Sequence, residues 1–204
     1  MPASGKYITL EGGEGTGKTT QVARLVKRLA TVGIKAQELR EPGGDPFAEM
    51  LRTILLGDVP RRPEADVLVF NAARVQTLER ANRLMRQGIW AIADRSSLST
   101  ITYQAYGEGA DIKFTRTICD AVTQVRRPDL QIVINVEEAE LKQRRHKRGT
   151  LDRFEQMDDE FHSRVNRGYI IEARRARLSI VDGNGTESEV AQRIWTQVSN
   201  FVKN

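Results

Sequence analysis

The chain is 204 residues long, with 32 Lys and Arg against 27 Asp and Glu, two His and one Cys. At roughly 100–200 residues per domain this length holds one domain with a substantial core, and a net charge of +5 is modest, although it leaves nucleic acid open as a partner. The lone Cys119 excludes an intramolecular disulfide, and with His146 and His162 it leaves too few soft ligands for a structural zinc site. The N-terminal MPASGKYITLEGG has no apolar secretory run, and no later run approaches the roughly 20 residues that span a bilayer. The expectation is a soluble, cytoplasmic protein with no membrane partner.

Short apolar runs alternate with helical patterns along the chain. Residues 7–10 (YITL) read as a buried strand that ends in a Gly-rich turn. Val22, Leu25, Val26 and Leu29 then recur at the spacing of an amphipathic helix, and Phe47, Met50, Leu51, Ile54 and Leu55 repeat that stripe in a second. A third helix is expected over about 64–87, strands at 89–94 and 130–136, and a helix over Ser96–Tyr106. Residues 178–181 (LSIV) form a last short strand before a helix carrying Val190, Ile194, Val198 and Phe201. Continuous rather than alternating apolar strands imply a sheet buried on both faces. The expected fold is therefore three-layer α/β/α around a central parallel sheet, as one domain over 1–204. Ligands of such folds sit at the carboxyl ends of the strands.

That is where the most informative residues fall. Gly12, Gly13, Glu14, Gly15, Thr16, Gly17, Lys18 and Thr19 match the P-loop pattern, between a strand and a helix as its mechanism requires. The glycines let several N–H groups point into one concavity, and the helix adds its positive end. Lys18 would reach the β- and γ-phosphates of ATP, and the Thr19 hydroxyl would ligate Mg²⁺.

Five segments keep order and spacing over about 1–180: YITLEGGEGTGKTT, REPGGDPFAEMLR, VFNAAR, DRSSLSTITYQ and LDRFE. Together they resemble the successive motifs of the thymidylate kinase family, nucleoside monophosphate kinases with the P-loop NTPase fold. The resemblance implies Mg-ATP-dependent phosphorylation of dTMP to dTDP by a homodimer, with no nucleic-acid partner. It implies that Arg52 and Arg95 grip the acceptor phosphate; Arg40, at a predicted strand end, could also face the cleft. Phe70 would stack on thymine, Arg74 bond a base carbonyl, and Tyr103, Gln104 and Ser99 line the sugar and base. Glu14 would contact the sugar 3′-hydroxyl. Asp94, a carboxylate ending an apolar strand, would serve Mg²⁺, partly through water, or order the phosphate site.

RRHKRG (144–149) reads by itself as a solvated basic helix end, or as a nucleic-acid patch. The resemblance makes about 142–155 a short helical lid. Arg144 and Arg145 would then sit on ATP, while Arg148 and Arg153 would stabilise the transferring phosphoryl group, with Gly149 as a hinge. No nucleophilic or general-base arrangement is recognisable. None is required, because an acceptor phosphate with a second pKa of about 6 is mostly a dianion at neutral pH. Cys119 fits a helix core.

Four positions depart from the family pattern: Asp45 for Thr, Ser96 for Tyr or His, Thr102 for Ala, and Asn135 for Asp. None touches the P-loop, so phosphoryl transfer is better supported than dTMP preference. A deoxynucleoside monophosphate kinase of different or broader acceptor range stays open. More remote is a P-loop ATPase that binds nucleic acid, although the basic segments lack interleaved aromatics.

Overall fold

The structure is a computed structural model that describes residues 4–146 and 152–203. Strands β1 (Tyr7–Glu11), β2 (Ala36–Arg40), β3 (Trp90–Asp94), β4 (Leu130–Asn135) and β5 (Ser179–Asp182) form one sheet in the order β2-β3-β1-β4-β5. Every pairing is parallel. Helices α1 (Lys18–Thr31) and α8 (Glu187–Lys203) cover one face. The other carries α3 (Pro63–Arg86) and α7 (Asp159–Arg175), with α5 (Ile112–Thr123) packed behind them. The remaining elements are α2 (Pro46–Leu56), α6 (Glu138–His146) and the short α4 (Ser97–Thr100), which runs on into a π-helical stretch, Ile101–Gly107.

Strand periodicity explains the continuous apolar runs. Along β1, Ile8 and Leu10 point to α1 and α8, where they pack with Val22, Leu25, Ile194 and Val198. Tyr7 points the other way, against Leu78, Ala81 and Met85 of α3. Val133 of β4 faces Phe161, Val165 and Tyr169 of α7, whereas its neighbours Ile132 and Ile134 join the first cluster. Both faces are dry. The three-layer expectation holds.

Two features differ from the sequence reading. Strand β2 (AQELR) is an edge strand in which only Leu39 is buried, so it carries no apolar run to reveal it. Only part of the α2 stripe faces the core. Leu55 is buried and Leu51 half-buried, but Phe47, Met50 and Ile54 are 50%, 69% and 51% exposed, and Ala48, outside the stripe, is buried. Helical spacing reported the apolar face correctly but not what that face meets.

Asp45, one of the departures from the family pattern, has a structural task. Its carboxylate accepts from the Phe47 and Ala48 N–H groups at 3.0 and 3.1 Å, capping α2 just ahead of Pro46. Asp45→Ala is expected to lower the unfolding free energy by about 1 kcal/mol in chemical denaturation, while Asp45→Asn stays near wild type.

Candidate active site

The carboxyl ends of β1, β2 and β3 open into a cavity of about 480 Å³. At one end lies the P-loop. Gly17, at φ +84°, precedes α1 and offers no side-chain cap, so the first-turn N–H groups of that helix remain available to an anion. Gly12, at φ +147°, fits because a Cβ there would stand 2.7 Å from the Ile134 carbonyl oxygen. The Thr16 hydroxyl donates to the Gly13 carbonyl at 2.9 Å, and Lys18 Nζ donates to the same oxygen at 2.8 Å. Burial pulls the Lys18 pKa down to about 8, helped by the charge of Arg95.

Beside the loop, Thr19 Oγ1 donates to Asp94 Oδ2 at 2.5 Å. Asp94 Oδ1 is buried and has no hydrogen-bond partner among the described residues. A hydroxyl next to a carboxylate with a spare buried oxygen is a hard-oxygen donor set that suits Mg²⁺.

Arg95 bridges the two ends of the cavity. Its backbone is left-handed at φ +76°, an unusual conformation for a side-chain-bearing residue and one that concentrates at functional sites. The guanidinium pairs with Glu14 and lies 4.9 Å from the Tyr103 ring centroid. Its Nη1 donates to Ser99 Oγ and Tyr169 Oη, both at 3.3 Å. Tyr103 in turn donates to Glu14 at 2.9 Å. Below this group, the buried Glu11 accepts from Ser96 Oγ at 2.5 Å and Ser99 Oγ at 2.7 Å. Ser96, another departure, thus helps hold the turn that aims Arg95.

The far end is aromatic. The Phe70 and Phe154 ring centroids are 6.1 Å apart, and Tyr103 meets Phe154 edge-on at 5.6 Å. Arg74 forms the floor, almost wholly buried. It pairs with Glu41 at 2.7 Å and also donates to Asn71 Oδ1, the Ser96 carbonyl and Thr100 Oγ1. Four of its five N–H donors are therefore used within the protein, leaving one for a ligand. Burial raises the Glu41 carboxyl to about 7 even with Arg74 beside it. Gln104 donates to Glu108 at 3.3 Å, and its buried carbonyl oxygen has no partner among the described residues.

Of the residues singled out in the sequence, Glu14, Gly15, Gly17, Lys18, Thr19, Arg40, Arg52, Phe70, Arg74, Asp94, Arg95, Ser99, Tyr103 and Gln104 all line this one cavity. Arg52 donates to the Pro42 carbonyl at 3.0 Å, and Arg40 is tied to Glu49 at 2.5 Å. Arg144 packs beside the loop, 3.3 Å from the Gly15 carbonyl. Arg153 does not line the cavity; it pairs with Asp66 at 2.7 Å and with Glu108. Arg148 and the Arg145 side chain lie outside the described residues, as does 147–151, the middle of the expected lid. Cys119 is buried, and burial raises its thiol pKa, as suits a packed helix rather than a nucleophile.

Sequence reasoning left Glu11, Glu41, Phe154, Arg80 and Tyr169 without roles. Glu41 and Phe154 stand inside segments already singled out, REPGG and LDRFE. A charged residue just past a strand end was a usable signal for Glu41. Nothing local marks Tyr169, which reaches the site only because α7 packs under α4.

A parallel sheet with a Lys-bearing phosphate loop at one end of a cleft, and an arginine- and aromatic-lined pocket at the other, defines a P-loop phosphotransferase for two ligands. Comparison with known proteins narrows this. The Thymidylate kinase family model matches residues 10–194. Thymidylate kinases of Methylococcus capsulatus and Deinococcus radiodurans are 37% and 36% identical over 201 residues each, 97% of this chain in both cases and 97% and 98% of theirs. That of a Psychrobacter species is 38% identical over 202 residues, 96% of this chain and 97% of its own. The chain belongs to the thymidylate kinase family.

The lowered Lys18 pKa sets a pH limit. As pH rises through about 8, Lys18 loses its proton and the phosphate loop loses its cation. We expect kcat/KM for ATP, which reports the free enzyme, to fall above about pH 8, and a profile flat to about pH 9.5 would contradict this.

Proposed function

We infer that the chain transfers the γ-phosphoryl group of ATP to dTMP, giving dTDP and ADP on the route to dTTP. The observation that carries this is one cavity joining a P-loop to a pocket walled by Phe70, Phe154 and Tyr103 and floored by Arg74. ATP lies with its β- and γ-phosphates on the N–H groups of α1 and on Lys18, and Arg144 flanks the loop. Mg²⁺, held through Thr19 and through water on Asp94, supplies charge neutralisation at those phosphates when bound.

The acceptor enters from the other side. Its phosphate meets Arg95 and Arg52, its 3′-hydroxyl meets Glu14, and its base stacks on Phe70 beside Arg74 and Gln104. Transfer is in-line: an acceptor phosphate oxygen forms the new bond to the γ-phosphorus while the bond to the β,γ-bridging oxygen breaks, and ADP leaves. The acceptor is already a dianion, so no protein base is needed and catalysis is positioning plus charge stabilisation. Within a single domain, the expected lid cations Arg145 and Arg148, whose side chains lie outside the described residues, would add charge at the donor phosphates. The enzyme acts in the cytoplasm, where ATP is at hand.

A coupled ADP-release assay across dTMP, dUMP, dCMP, dGMP and UMP is expected to show dTMP leading by kcat/KM. Another leader would point to a monophosphate kinase of different acceptor range. ADP release that responds to DNA and to no monophosphate would overturn the kinase reading.

The chain works as a homodimer, with a second copy covering α2 and α3. The supporting observation is the pair of apolar stripes left in solvent on these two packed helices: Phe47, Met50 and Ile54 on one, Leu68, Ala72 and Val75 on the other. Large apolar side chains exposed at helical spacing on two packed helices mark an interaction surface. Met50→Glu combined with Leu68→Glu is expected to halve the mass measured by light scattering while the far-ultraviolet dichroism stays native. An unchanged mass would place the contact elsewhere.

A further inference from the structure

Arg153 is a cation of the LDRFE segment that the cavity does not contain. Its guanidinium lies 4.6 Å from the Phe154 ring centroid and donates to two carboxylates, Asp66 of α3 and Glu108 just after the π-helical stretch. Both are largely buried, with side-chain exposures of 0% and 8%. Asp66 also takes Arg61. Two cations and two anions thus close a neutral chain from the start of α3 to the acceptor end of the cavity. A buried carboxylate is costly without such a partner, so the pairing is held in place.

The chain reaches the pocket at two points. Glu108 uses one oxygen for Arg153 and the other for the Gln104 amide N–H at 3.3 Å. That hydrogen bond orients the amide and leaves the Gln104 carbonyl oxygen as a buried acceptor. The second point is Phe154, pinned under Arg153 and set against Phe70 and Tyr103. A free acceptor beside an aromatic wall fits a pyrimidine that presents a ring N–H, as the N3–H of thymine does, and not one whose N3 is itself an acceptor.

We propose that Arg153 is a positioning residue of the nucleobase pocket, acting through Glu108 on Gln104 and directly on Phe154, and not a contact of the donor phosphates. This rests on the base occupying the Phe70 end of the cavity. The separation of substrates makes it testable. In steady-state kinetics with ATP and dTMP, Arg153→Met should raise KM for dTMP about tenfold, with kcat and KM for ATP within about twofold. Glu108→Ala should do the same, and the double variant should be no worse than either single one, because both break one chain. Preference for dTMP over dCMP should narrow in all three.

A rise in KM for ATP or a fall in kcat, with KM for dTMP unchanged, would overturn the proposal and return Arg153 to the donor phosphates. Should Arg153→Met not fold, Glu108→Ala decides alone: an unchanged KM for dTMP in folded protein refutes the relay. Failure of the kinase reading itself is seen separately, as wild-type protein that does not turn over dTMP.

Discussion

The parallel register of β1 and β3 governs where the charges of the site come to lie. Leu10 pairs with Asp94, and the Arg95 N–H donates to the Leu10 carbonyl at 3.0 Å, so the two strands end side by side. The P-loop leaves one strand and the Asp94-Arg95 turn leaves the other. Thr19 can therefore reach Asp94, and Glu14 can pair with Arg95, although each pair is more than 70 residues apart in the chain. Shifting that register by one residue would turn every side chain of one strand to the opposite face. Asp94 would then be lost from the loop, and Ile92 from the cluster over α1.

Two opposite electrostatic requirements meet at this point. A cleft for two polyanions needs cations, yet cations packed together in a dry cavity repel one another and lose hydration. The structure answers by giving nearly every cation an anionic or carbonyl partner: Glu14 for Arg95, Glu41 for Arg74, Glu49 for Arg40, and the Pro42 carbonyl for Arg52. Lys18 has no carboxylate of its own and donates to the Gly13 carbonyl. It is the cation whose pKa falls most plainly. Substrate phosphates would relieve that strain, which makes Lys18 the group most sensitive to whether the loop is filled.

Packing carries the same logic away from the phosphates. Glu11 is buried at the end of β1 with hydroxyls from Ser96, Ser99 and Tyr169 around it, so an anion with no arginine of its own is solvated by the protein. The Ser99 and Tyr169 hydroxyls also accept from Arg95. Ser96, small enough to fit above Glu11, belongs to this arrangement. Asp45 serves as a helix cap. Two departures from the family pattern are thereby explained by local structure.

Much was legible in the chain alone. Gly12 to Thr19 declare a phosphate loop because that spacing of glycines, lysine and hydroxyl lets the backbone wrap an anion, and the apolar runs declare a buried parallel sheet because strands alternate side chains between two covered faces. Both are local physics. What needed the tertiary structure was partnership. Strand β2 has no pattern of its own and exists because Arg40 to Ala36 pair with β3. In the α2 stripe, Phe47, Met50 and Ile54 have the same helical spacing as Leu55, and only packing shows that Leu55 is buried while those three stay in solvent. Arg153 reads as one more lid cation in its segment, and only the approach of Asp66 and Glu108, 87 and 45 residues away, sets it beside the aromatic end of the cavity. Spacing along a chain reports which residues share a face; which charge or surface meets that face depends on contacts between distant segments, and these are decided by the fold.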